Sequence, residues 1–254
     1  MMPNVLVRLC FVVVLAAFGL APQAHAQSQG RRADIVVELF TSQGCTQCPR
    51  ANRLLGVLAR EEGALGLTFP VDIWDYLGWD DTLARREFSL RQREYAARMR
   101  LRGRSTPQII LNGKSQIGAS DWDDARAAFS SEPRLDPSRR IDLSIVRLRS
   151  SRVRVTIAGT PPLTPADVWL VAYNTGPVTV EVTGGPNINR TVPHHNVVTA
   201  IERLGGWSGE AVWYERQRCQ PSCAVLVQEP NGGPILAGAY VTGPPRVRPG
   251  IGPR

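Results

Sequence analysis

The chain has 254 residues, 43% of them hydrophobic, enough to bury a sizeable core without leaning on disulfides. Its 30 Lys plus Arg outnumber 22 Asp plus Glu, giving a formal charge of +8, but the cations are scattered arginines with Lys114 the only lysine, which excludes the clustered footprint of a nucleic-acid binder. No segment approaches the roughly 18 to 20 apolar residues of a membrane-spanning helix, which excludes stable membrane insertion.

Met1 to Arg8 carries one positive charge, Leu9 to Leu20 is apolar apart from Gly19, and Ala24-His25-Ala26 precedes Gln27. That pattern is an export signal over residues 1–26 with cleavage near Ala26. The expected mature chain is periplasmic or secreted, about 228 residues long, with 29 basic against 22 acidic residues. That length predicts two domains. Cys10 leaves with the signal, so Cys45, Cys48, Cys219 and Cys223 remain as two close pairs, chemically suited to an oxidising compartment.

Asp34 to Thr41 reads as a buried strand closed by Ser42, Gln43 and Gly44. Cys45-Thr46-Gln47-Cys48 follows, with Pro49 suited to a first helical turn, and Leu54, Leu55, Val57 and Leu58 line one helix face as far as Glu62-Gly63. A cysteine pair delivered by a strand to a helix start is a redox arrangement, because free N–H groups and the positive end of the helix dipole favour the thiolate. A static disulfide, half of a metal site, or accidental spacing are the alternatives. Leu67 to Asp72 is a second strand, parallel to the first.

Trp74-Asp75-Tyr76-Leu77-Gly78-Trp79-Asp80 then leaves the sheet on the edge that carries the cysteines, where α/β sheets place ligands. Trp74, Tyr76 and Trp79 are expected either to face a substrate or to cover the sheet. Asp81 to Leu101 is an amphipathic helix with Ala84, Phe88, Tyr95 and Met99 on one stripe. Thr106-Pro107-Gln108 opens a hairpin with an Asn112-Gly113 turn, and Asp121 to Phe129 reads as a closing helix.

This order, with the cysteine pair after the first strand and Thr106-Pro107 before the third, resembles the thioredoxin fold. The resemblance implies a cis Pro107 facing the cysteines, Cys45 as attacking thiol, Cys48 as resolving thiol and Thr106 with Pro107 as substrate platform. It also implies Glu38 as a buried acid that accepts the proton of the resolving cysteine. The residues alone favour a solvated edge glutamate. Glu38 to Cys45, Trp74 to Trp79, Arg91-Gln92-Arg93 with Tyr95-Ala96, Thr106-Pro107-Gln108 and Asn189-Arg190-Thr191 together resemble a bacterial family of secreted proteins, catalogued as a domain of unknown function with a thioredoxin-like fold.

Residues 131–140, with Pro133 and Pro137, read as a linker. Beyond it short apolar runs spaced by Gly and Pro predict a β-sandwich-like domain over 141–242, and a proline-rich disordered tail over 243–254. The expected fold is therefore an α/β thioredoxin-like domain over 33–130 followed by an all-β domain. His194 and His195 fall in a Gly- and Asn-rich stretch and read as surface loop, with metal ligation as the alternative. Cys219 and Cys223 flank Pro221, whose turn would close a structural disulfide, with a second redox pair or a four-cysteine metal site as alternatives.

The leading functional expectation is an exported thiol–disulfide oxidoreductase acting on cysteine-containing envelope proteins or a redox partner, with no cofactor. The alternatives are a non-enzymatic scaffold with locked disulfides and a copper-handling module using the soft thiolates.

Overall fold

The computed structural model describes residues 28–119, 121–148, 151–216 and 219–243. The expected signal peptide, its cleavage point and the tail beyond Gly243 lie outside the described residues. Ser28–Gln29 (β1) and Arg31–Ala33 (β2) lead into Ile35–Thr41 (β3), Cys48–Leu58 (α1), Ala64–Pro70 (β4), Arg86–Arg98 (α2), Gln108–Leu111 (β5), Ser115–Gly118 (β6) and Trp122–Ser131 (α3). Seven strands follow: Ile141–Arg147 (β7), Val153–Gly159 (β8), Ala166–Val182 (β9), Arg190–Trp207 (β10), Val212–Arg216 (β11), Ser222–Gln228 (β12) and Ile235–Val241 (β13).

These elements do not form an α/β thioredoxin-like domain followed by a separate β domain. Strand occupies 45% and helix 20% of the described residues, and nine strands from both halves share one curled mixed sheet in the order β2-β13-β12-β9-β10-β4-β3-β5-β6. The joint is β4, parallel to β3 on one side and to β10 on the other through Val197 opposite Thr68. Strand β4 is buried along its whole length, like β3, β12 and β13, as expected of strands covered on both faces. Where short strands spaced by Gly and Pro are expected, residues 166–182 form one 17-residue strand, β9, that runs through Gly176 and Pro177.

One face of the large sheet carries a continuous core in which Phe88 and Tyr95 of α2 meet Val36, Phe40 and Phe69 from the first half and Val171, Val198 and Leu226 from the second. On the opposite face, α1 and α3 cover Ile35, Val37, Leu39 and Ile109. The four-stranded sheet β1-β7-β8-β11 covers Val168, Leu170, Val225 and Val227 on that same face. Strands β7 and β8 alternate buried and exposed residues, so one side is wet. The segment expected as a linker is tied to the body: Leu135 N–H donates to Asp34 O (2.7 Å) and Asn112 Nδ2 to Pro133 O (2.9 Å).

Candidate functional site

Strand β3 ends in a turn in which Cys45 N–H donates to Ser42 O and Cys48 N–H to Cys45 O, and α1 begins at Cys48 with Pro49 in its first turn. Cys45 thus lies one turn ahead of the helix rather than in it. No acidic residue sits in that first turn, so the positive end of the dipole is left to the cysteines. Cys45 and Cys48 are disulfide-bonded with Cα atoms 5.3 Å apart. Cys45 is 6% exposed and Cys48 fully buried, which gives the two sulfurs unequal access to a partner.

The exposed part of Cys45 opens into a cleft of about 320 Å³ lined by Cys45, Gln47, Trp74, Leu77, Thr106 and Pro186 among others. Parallel pairing of β3 and β4 brings the aromatic loop to this edge, as the sequence predicts. The Thr106–Pro107 peptide is cis, and Trp74 Nε1 donates to Thr106 Oγ1 (2.7 Å). Tyr76 is 75% exposed and tilts against the Trp74 ring, 6.1 Å between centroids. Trp79 is turned away from the cleft lining and donates Nε1–H to Gln43 Oε1 (2.8 Å), fixing the approach to Cys45.

The same approach is held by Asp81, whose Oδ2 accepts Gln43 N–H (2.7 Å) while Oδ1 accepts Leu83 and Ala84 N–H. Burial pushes the Asp81 carboxyl up to about 6, against the pull of these N–H donors.

Glu38 is neither a solvated edge residue nor on the cysteine side. It shares the α2 face of the sheet with Val36 and Phe40, opposite α1. There Arg91 Nε and Nη2 donate to its carboxylate (2.7 and 3.2 Å), Tyr95 O–H donates to it, and Gln228 of β12 completes the buried set through Arg91 and Tyr95. The sheet lies between the Glu38 side chain and α1, the helix that begins at Cys48.

Sequence reasoning missed Asn187. A short helical turn over Gly185–Asn187, between β9 and β10, lays its backbone on the aromatic loop; a Cβ on Gly184 would stand 2.6 Å from Gly78 O. Asn187 is fully buried and donates Nδ2–H to the carbonyls of Gln43 and Cys45, both at 2.8 Å. Its only signal was proximity to Asn189-Arg190-Thr191; Arg190 Nη1 does donate to Asn187 Oδ1 (3.3 Å).

Cys219 and Cys223 are bonded to each other, buried in the core between the two sheets. The two adjacent histidines are strand residues of β10, not a surface loop, and alternation sends them apart. His194 is fully buried and burial pulls it down to about 4, whereas His195 is half-buried beside α1. Among the described residues no group of three or more His, Cys, Asp or Glu converges that could hold a metal ion. No helix among them is long and apolar enough to cross a membrane.

A family model described as "Protein of unknown function (DUF1223)" matches residues 36–228. The X-ray structure of a protein from Agrobacterium tumefaciens is similar with a TM-score of 0.67 and 29% identity, over 86% of this chain and 97% of that one. A "Probable Thioredoxin" from Archaeoglobus fulgidus is 40% identical over 38 residues, 15% of this chain. The chain spans 42% of the length of that curated relative.

Proposed function

Since the chain belongs to the DUF1223 family, whose description carries no reaction, we propose a function from the site itself: thiol–disulfide exchange at Cys45 and Cys48, on cysteine-containing proteins outside the cytoplasm. The observation that carries this reading is the asymmetric pair, Cys45 opening into a cleft and Cys48 buried behind it at the start of α1. The short likeness to a probable thioredoxin supports it. Two closed cysteine pairs support an oxidising compartment.

From the bonded state, a substrate thiolate attacks the Cys45 sulfur, the Cys45–Cys48 bond breaks, and Cys48 leaves as a thiolate that takes a proton from solvent. A second substrate thiolate attacks its own sulfur in the mixed disulfide and expels Cys45. The substrate has then lost two electrons to become a disulfide, and Cys45 and Cys48 hold them as thiols. The reverse sequence reduces a substrate disulfide. Trp74 and Thr106 in the cleft wall, with exposed Tyr76 beside them and the cis Pro107 behind, are the surface against which the partner chain lies.

A second reading is favoured by the small exposure of Cys45: a scaffold whose disulfide stays closed. An insulin-reduction assay with dithiothreitol separates the two. Turnover above background, abolished in Cys45→Ser, is the expected result. Equal rates for wild type and variant overturn the exchange reading and leave the scaffold.

A further inference from the structure

A second cleft, of about 510 Å³, lies away from the cysteines. It lies between α1 and the strands β9, β10 and β13, and Arg31, Arg60, Tyr240, His195, Thr175 and Asn196 are among its walls. A volume of this size suits a small molecule.

Its polar character is one-sided. No Asp or Glu lines it. Arg60 spends its Nε–H on Gly56 O (2.7 Å), which anchors the guanidinium and leaves its terminal amino groups without a hydrogen-bond or acidic partner among the described residues. Arg31 stacks over the Tyr240 ring at 5.8 Å and likewise has no acidic partner among them. Arg31 and Arg60, both exposed, line one cleft, and their guanidinium groups are planar donor forks suited to a carboxylate or phosphate.

The wall beside Arg60 is built rather than incidental. Strand β10 shifts register between His195 and Val197, a bulge of the kind that re-aims side chains. Asn196 occupies the bulge with φ 49° and ties it down, donating Nδ2–H to Gly66 O (2.9 Å) and accepting Gly176 N–H (3.2 Å). The His195 ring lies flat on α1 where residue 56 is glycine; a Cβ there would fall 2.6 to 2.8 Å from three ring atoms. Burial and the Arg60 charge pull His195 below its ordinary range, and an anion held beside the ring would act in the opposite direction.

We propose that this cleft is a binding site for a small oxyanion, a carboxylate or phosphate compound, gripped by Arg31 and Arg60 with His195 against it. It is separate from the exchange site: Gly56 is eight residues along α1 from Cys48, about 12 Å at helical rise. Its failure would leave the cysteine reading untouched.

Calorimetric titration of the oxidised chain with inorganic phosphate and, separately, with citrate at low salt tests it, with the His195 ring followed by NMR. Saturable one-site binding of at least one probe with movement of the His195 signal is expected, and the stronger probe identifies phosphate or carboxylate as the ligand class. Arg31→Ala and Arg60→Ala should each weaken binding about tenfold or more, the loss of one charge-assisted partner. Arg53→Ala, an exposed arginine of α1 outside the cleft, should bind as wild type. No saturation with either probe up to millimolar concentration, or an Arg53 variant as weakened as the Arg60 variant, overturns the site.

Discussion

The side-chain amide of Asn187 donates to the carbonyl of Cys45 at 2.8 Å, joining residues 142 apart in the chain. The turn that presents the cysteine is therefore finished by the second half of the molecule. Without Asn187 the Gln43 carbonyl loses a buried partner, which costs about 1 to 3 kcal/mol for a group left unsatisfied, and the Cys45 carbonyl keeps Cys48 N–H alone.

Asn187→Ala should accordingly lower the unfolding midpoint and slow exchange at Cys45 more than a general loss of stability explains. Asn187→Asp, a carboxylate that cannot donate when ionised, should behave like the alanine variant. Thermal melts and the rate of insulin reduction per folded molecule check both. Exchange at the wild-type rate in either variant would remove Asn187 from the positioning of Cys45.

Glu38 and Arg91 form a buried ion pair, 0% and 4% exposed. Arg91→Ala strands the carboxylate in the core and should cost about 3 to 5 kcal/mol. Because the pair faces away from α1, exchange per folded molecule should be unchanged in Glu38→Gln, read by urea unfolding alongside the insulin assay. A Glu38→Gln loss matching that of Cys45→Ser would restore the glutamate as proton acceptor.

Asp81 and His194 should oppose each other in acid. The folded His194 titrates at about 4, below its ordinary 6.5, so the unfolded chain binds a proton first and stability falls as pH drops from 6.5 towards 4. The folded Asp81 titrates at about 6, above 3.8, so the native state binds the proton first and stability rises over nearly the same window. Each effect is about 3 kcal/mol from the size of the shift. Asp81→Asn should therefore expose a steep acid loss between pH 6.5 and 4, and His194→Leu a gain, in urea midpoints measured against pH. Parallel pH curves for both variants and wild type would contradict the assignment.

Gly56→Ala offers a further check on the His195 wall. Replacing an interior helical glycine by alanine ordinarily stabilises by about 1 kcal/mol. Here the new methyl meets the imidazole, so the variant should gain no stability and should show a displaced His195 resonance. A clean gain with an unmoved signal would mean the ring is not seated on the helix.

Much of the cysteine edge was legible before any fold was known. The run Ile35–Thr41 is apolar apart from Glu38 and Thr41, Pro49 sits where a helix tolerates a missing N–H, and the strand–helix–strand spacing brings Trp74 to the same edge as Cys45. Asn112-Gly113 fixed the hairpin of β5 and β6. Each of these depends on residues a few positions apart.

The long-range relationships were not legible. Nothing in Leu65 to Phe69 says that β10 will pair along its outer edge, since an apolar run reads the same whether a strand or solvent-shielding helix lies beside it. The two faces of β3 are both apolar except at Glu38, and only the docking of α2 shows that Arg91 waits there rather than water. His194 and His195 look alike in sequence; the register of β10 against β9 buries one and turns the other to a cleft. The local chemistry of Cys45 and Cys48 was thus written in spacing and capping, which act within one turn of chain. The sheet that makes one body of both halves, and the loop that carries Asn187 to the cysteines, were decided by tertiary pairing, because a strand's partner is chosen by the burial of whole faces and not by any short stretch of residues.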